Sequence, residues 1–435
     1  MMKAKCYNTR ENHTGGVNSA LRKGDVVKRV LAVGAVVLAA LAVRAGAAPS
    51  VVVSSFAQRG GRVFVDYSLS GEPAIVTVDF LTNGVTIGES NFANVGGDVN
   101  KIVTKANGSI VWHPAESWPG TTPATNCTAK VTAWATNSPP DYFVYDILTR
   151  DKNFYVSTNA LPLGGLSNRV YRTSKLVMRR IPAANVEWRM GSPLCEVGRA
   201  DTEIPHLVTL TEDFYIAIFE MTQAQYANTG WSYAKGFNYS GEDADIHPAE
   251  MVNYWHIRGS TCVPTNGRSN PGSFIADLRG KSGVDFDLPT EAQWEFACRA
   301  GTLTALNSGR DLAKKSSDAN AMAVAWTQEN QSEGQDVAAS HSVGLRAPNA
   351  WGLYDMHGNV HEWCVDWWAP YPTDDATNPA GGTANYEGMG RALRGGGWGW
   401  SASAGCRSAS RGYDGDKGAL KDRGFRLICP VSLKW

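Results

Sequence analysis

The chain has 435 residues, and its 41 basic and 41 acidic side chains cancel. Nothing in that balance points to a nucleic-acid footprint, which would show as a basic excess on one face, and the length points to two or three domains. A hydrophobic share of 43% is ordinary for a globular protein, whereas 15 Trp and 45 Gly bias the chain toward irregular backbone braced by large aromatics.

Arg22, Lys23, Lys28 and Arg29 lead into an apolar run from Val30 to Val43, and Ala45-Gly46-Ala47 follows with small-x-small spacing. Residues 1–47 therefore read as a signal peptide cut after Ala47. The run falls short of the ~20 residues that a permanent anchor needs, and an uncleaved anchor stays open as the alternative. The expected product is exported (secreted, periplasmic or cell-surface) with no membrane span after cleavage. An oxidising compartment favours disulfides. Loss of Cys6 leaves Cys127, Cys195, Cys262, Cys298, Cys364, Cys406 and Cys429, an odd set in which at least one thiol is free or paired between chains.

Residues 48–148 read as an all-β sandwich of immunoglobulin or fibronectin type. RVFVDYSL (Arg62 to Leu69) alternates with period two, and Asn83-Gly84 sits between apolar runs as a hairpin signal. GSIVWH, AKVTAWAT and DYFVYDIL supply further short strands. No chemistry is visible there, and a spacer or adhesion module is the expected role. Residues 149–185 read as a linker. Beyond it, LVTLTEDFYIAIFEMT (Leu207 to Thr222) alternates like a strand pair. Thr222-x-x-Gln225 then forms a capping box that starts a helix at Gln223, and Thr290-x-x-Gln293 repeats the device for a helix ending at Gly301.

The segment from Asn349 to Trp368, NAWGLYDMHGNVHEWCVDWW, fits neither a helical nor a strand period. Asp355 and Glu362 are candidates for holding an ion across its Gly-bearing turn, the alternative being that they cap local turns. His357 and His361 have the i, i+4 spacing of a zinc pair, but that spacing serves only on a helix, and Gly358-Asn359 argue against one.

The same segment carries GLYDMHGNVxEW. In chain order the sequence also holds IPHLVTLTEDFYIAIFEMTQAQY, HPAEMVNYW, FDLPTEAQWEFACRAGT, ALRGGGW, CRSASR and GFRLIC. Together these pieces resemble the sulfatase-modifying factor family, whose founding member is the formylglycine-generating enzyme. The resemblance covers about Val186 to Pro430 and implies an α+β domain over 186–435: an irregular, C-type-lectin-like formylglycine-generating-enzyme fold preceded here by the β-sandwich. It implies a structural calcium held by Asp355, Gly358, Val360 and Glu362. The family activity is oxidation of a sulfatase cysteine to an aldehyde with O2 and copper(I), through a C-x4-C thiolate pair after R-G-G-S. The matching loop, Arg394 to Arg411, has only Cys406, which falls on neither position of the pair. Gly397 replaces the motif Ser, His361 a substrate-contacting Trp, and Asp422 an Asn, whereas Arg411 matches a substrate-contacting Arg. The family's disulfide from the helix cysteine implies a Cys298–Cys406 bridge.

Two function classes follow. The favoured one is a degenerate domain that binds a protein or carbohydrate ligand, with Arg411, Trp398, Trp400, His361 and Asp422 as contacts. Aromatic anchors on a loop of small residues suit recognition. The alternative is an oxidoreductase acting on a sulfatase or another substrate through a rebuilt site, with Cys406 as the one catalytic candidate and copper(I) lacking its thiolate pair. An inert envelope scaffold is a third reading.

Overall fold

The computed structural model describes residues 47–118, 126–232, 243–259, 270–334, 338–382 and 384–432. The expected export segment lies outside them up to residue 46, as do Cys6 and Cys262.

The first region is built of two antiparallel sheets. Ser50–Arg59 pairs with Arg62–Ser70, which pairs with Asn107–Trp112, and Gly96–Gly97 lies at the far edge. The second sheet centres on Ala74–Thr82, with Cys127–Ala135 along one side and Lys101–Val103 and Val85–Thr86 along the other. The period-two pattern does its expected work: Val63, Val65, Tyr67 and Leu69 turn inward, where Val76, Val78, Phe80, Ile110 and Trp112 complete one apolar core. Asn83 and Gly84, at φ 50° and 79°, form the two-residue connection from Ala74–Thr82 to Val85–Thr86.

Two expectations change here. DYFVYDIL leaves the sandwich: Tyr142–Asp146 pairs antiparallel with both Lys152–Tyr155 and Lys175–Ile181. The stretch expected as a linker thus supplies two strands of a five-stranded sheet completed by Phe214–Ala217 and Ile428–Pro430. Burial explains it, because Phe154, Leu176 and Met178 enter one core with Phe143, Tyr215 and Phe286. The sandwich abuts this core through Ile75, Ile102 and Trp134, and Phe154 N–H donates to Asn100 O at 2.7 Å. Likewise Leu207 to Thr222 is not a strand pair. His206–Leu210 joins Val186–Met190 and the parallel Ala376–Thr377, while Phe214–Ala217, buried on both faces, enters the five-stranded sheet.

Both capping boxes form reciprocally, at Thr222/Gln225 for the helix Gln223–Asn228 and at Thr290/Gln293 for the helix Glu291–Arg299. Ala300 takes the left-handed conformation that ends the second helix, one residue before Gly301. The described helices are short and the architecture is β-rich. None of them is long and apolar enough to cross a membrane. A four-stranded sheet carries the candidate site, in the order Gly412–Asp414, Arg391–Arg394, His361–Trp367, Arg423–Gly424.

Candidate functional site

The Asn349 to Trp368 segment reaches this sheet through backbone that only certain residues tolerate. Asp355, Gly358 and Asn359 all have left-handed φ, at 55°, 74° and 61°. A Cβ at Gly358 would lie 2.0 Å from Trp326 O, so glycine is required there. The chain then straightens into His361–Trp367, and the parallel pairing of His361 with Arg423 brings Asp422 alongside, with His361 N–H donating to Asp422 O at 2.7 Å.

The glycine-rich loop after Arg394 closes over that corner. A Cβ at Gly397 would meet Asp422 Cβ at 2.9 Å, so the residue standing in for the motif Ser is what lets the loop approach. Trp398 N–H donates to Asn359 O at 2.7 Å, and Trp398 Nε1 donates to Lys421 O at 3.3 Å. Trp400 Nε1 donates to Asp422 Oδ2 at 3.1 Å, its ring stands edge-on to the His361 ring at 5.2 Å, and 42% of it remains exposed. His361 is 3% exposed and neither ring nitrogen has a hydrogen-bond partner. Burial, then the neighbouring Arg423 guanidinium, holds its pKa well below 6.5, so the ring is neutral. Asp422 also pairs with Arg423, Oδ1 to Nη1 at 2.6 Å.

His361, Trp398, Trp400 and Asp422 are therefore brought together. Arg411 is not. Gly412 faces the His361 ring, and the alternation of an extended chain sends Arg411 to the other side. There its Nε and Nη2 hold both oxygens of Glu291 at 2.8 and 2.5 Å, with its guanidinium 3.7 Å from the Tyr371 ring centroid. Tyr413 lies on that side too, 5.3 Å from Trp368.

The thiols correct the disulfide expectation. Cys298 and Cys406 are both free and buried. Cys298 Sγ meets Ser408 Oγ at 3.8 Å, so the residue facing the helix cysteine is a serine. Cys406 packs behind Gly396, where a Cβ would come within 2.6 Å of its sulfur, and burial pushes its thiol pKa far up. A single sealed, protonated thiol does not fit copper(I), which selects thiolates. His357 Nε2 accepts from Asn307 N at 3.0 Å, and burial lowers its pKa to about 3. It sits on no helix with His361, and among the described residues no group of three His, Cys, Asp or Glu is arranged to hold a metal ion.

The expected calcium ligands are partly committed. Glu362 Oε2 accepts from Trp294 Nε1 at 2.7 Å and Arg426 Nε at 2.6 Å, and its Oε1 accepts from Arg426 Nη2 at 2.6 Å. Asp355 Oδ2 accepts from Gly344 N, but its buried Oδ1 has no partner, and burial raises its pKa to about 6. A third acid, Glu220, carries no local signal in the sequence. It accepts from Asn359 Nδ2 at 2.6 Å and Val360 N at 3.1 Å, and burial followed by the charge of Asp355 raises its pKa well above the carboxylate range. Three carboxyls thus crowd Arg426. Of the expected calcium ligands, Asp355 Oδ1 is open to a cation, whereas both oxygens of Glu362 are held by Arg426.

Residues 175–431 match the family described as Sulfatase-modifying factor enzyme 1-like domain. The chain belongs to this family. Among similar proteins, the formylglycine-generating enzyme of Mus musculus is 34% identical over an alignment of 222 positions, covering 43% of this chain and 59% of that enzyme. The chaperone protein LppX of Paenibacillus barcinonensis is 27% identical over 252 residues, covering 51% of this chain and 81% of that protein. Among solved structures, Treponema denticola variable protein 1 has 25% sequence identity and a TM-score of 0.47, covering 59% of this chain and 95% of that one. The chain thus spans 59% of the mouse enzyme's length, and an activity does not transfer with membership.

Proposed function

We propose that this chain is an exported member of the sulfatase-modifying factor family in which the domain binds a ligand instead of oxidising a cysteine. The observation that carries the reading is the loop from Arg394 to Arg411. Its one thiol, Cys406, is buried and protonated, while beside it Trp400 is exposed over an imidazole with two unpartnered nitrogens. A wet aromatic with polar groups beneath it suits a protein or carbohydrate ligand. His361, Trp398, Trp400 and Asp422 are the proposed contacts. A C-type-lectin-like topology belongs to the same reading, as does a structural calcium drawing on Asp355, Gly358, Val360 and Glu362.

The test is incubation of the chain from Ala48 with a C-x-P-x-R peptide, copper(I) and O2, followed by mass spectrometry. An unchanged peptide, beside an active family control, is the expected result. Conversion of its thiol to an aldehyde overturns the reading in favour of an oxidoreductase with a rebuilt site. In parallel, a ligand found on glycan or peptide arrays is expected to lose affinity on Trp400→Ala and to keep it on Arg411→Lys.

A further inference from the structure

On the opposite side of the sheet from His361, a cavity of about 330 Å3 opens beside the start of the helix Glu291–Arg299. Its walls are mostly apolar, with His206, Glu291, Asp366 and Arg411 as the acidic and basic side chains among them. The volume lies at the small end of ligand sites, ~300–1,000 Å3. Arg411 has only 2% of its side chain exposed. Two of its nitrogens hold Glu291, but the buried Nη1 has no partner. Buried donors of this kind are rare, because leaving one unmade costs ~1–3 kcal/mol.

Charge points the same way. Arg299, Arg394 and Arg411 share two carboxylates, those of Glu295 and Glu291. The acid left over on the cavity wall is Asp366, which accepts from Glu291 N at 3.0 Å. Burial, and next the charge of Glu291, raises its pKa to about 8, so at neutral pH it adds a donor to the wall beside Arg411.

We propose that this cavity is a second binding site, for a small molecule with an apolar body and one carboxylate, which would face Arg411. The site is independent of the recognition loop around Trp400.

Isothermal titration of the full chain with hexanoate tests it, with hexylamine as the control of opposite charge. Saturable binding of hexanoate and none of hexylamine is expected. Ala380→Phe, on a half-buried wall position, fills the cavity and is expected to abolish binding in a folded protein. Arg411→Lys keeps a cation beside Glu291 but loses Nη1 and is expected to weaken binding by about tenfold or more. Trp400→Ala is expected to leave it unchanged, so failure of the ligand-loop reading does not carry over. Absence of saturable hexanoate binding, equal binding of hexylamine, or unchanged binding by folded Ala380→Phe overturns the proposal.

Discussion

The sandwich and the domain that follows it are held together by different means. In the sandwich the regular ladders satisfy the backbone, and the core between the sheets is apolar. In the following domain much backbone is irregular, and Arg258, Arg391, Arg394, Arg407 and Arg426 rank among the largest fully buried side chains. Several hold carboxylates and loop carbonyls together. Arg407 takes Glu203 and Gly198 O, and Arg426 takes Glu362 and the carbonyls of Ala217 and Tyr354. A guanidinium carries five donors in a fixed fork, so it does for irregular chain what a neighbouring strand does in a sheet. Such a device has a single point of failure, because removing either partner strands a buried charge.

The sharpest way to break the comparison is Arg407→Leu. It leaves Glu203 and Glu196 buried without their cation, and a loss of ~3–5 kcal/mol is expected from urea midpoints. A loss below about 1 kcal/mol would show that the buried pairs are ornaments on an apolar core. Calcium ranks next. If it completes the cluster at Asp355, saturating calcium at 100-fold above its dissociation constant raises stability by about 2.7 kcal/mol, and Asp355→Ala removes the response. An unfolding temperature indifferent to calcium and chelator would leave the cluster's balance to its arginines, Arg426 foremost.

A third prediction concerns pH. His361 and His357 are buried neutral, with pKa values depressed in the folded state. Below their ordinary 6.5 the unfolded chain binds protons that the folded chain does not, so stability rises with pH up to about 6.5 and falls on acidification, by at most ~1.4 kcal/mol per pH unit for each group. His361→Phe is expected to flatten part of that slope between pH 5 and 6.5 while leaving stability at pH 7 little changed. An unaltered slope would mean that His361 titrates in the folded state.

What the sequence shows follows the range of the interaction. Thr222, Thr290 and the Asn83-Gly84 turn act within a few residues, and each forms as expected. The family itself is legible in GLYDMHGNVxEW and its companions, and residues 175–431 match it. The strands inside 149–185 were not legible, because Phe154 and Met178 are buried by partners far along the chain. Arg411 shows a subtler limit. Motif matching places it near His361, but one step along an extended strand reverses the face. Glu220 was invisible for a similar reason, since Asn359, its amide partner, lies 139 residues away.

The smallest expected effect is in the sandwich, where it separates the two regions most cleanly. Ile110 is fully buried on Asn107–Trp112, opposite Val65 in the ladder. Ile110→Val removes one methylene and leaves every hydrogen bond in place, so about 0.5–1.5 kcal/mol is expected. The loss is graded because apolar neighbours relax into the space, whereas no relaxation supplies Glu203 with another cation. Measured together, Ile110→Val and Arg407→Leu should add, since they share no partner. If the pair instead departs from additivity by 1 kcal/mol or more, the two cores are energetically coupled, and the contact at Ile75 and Trp134 is the packing that joins them.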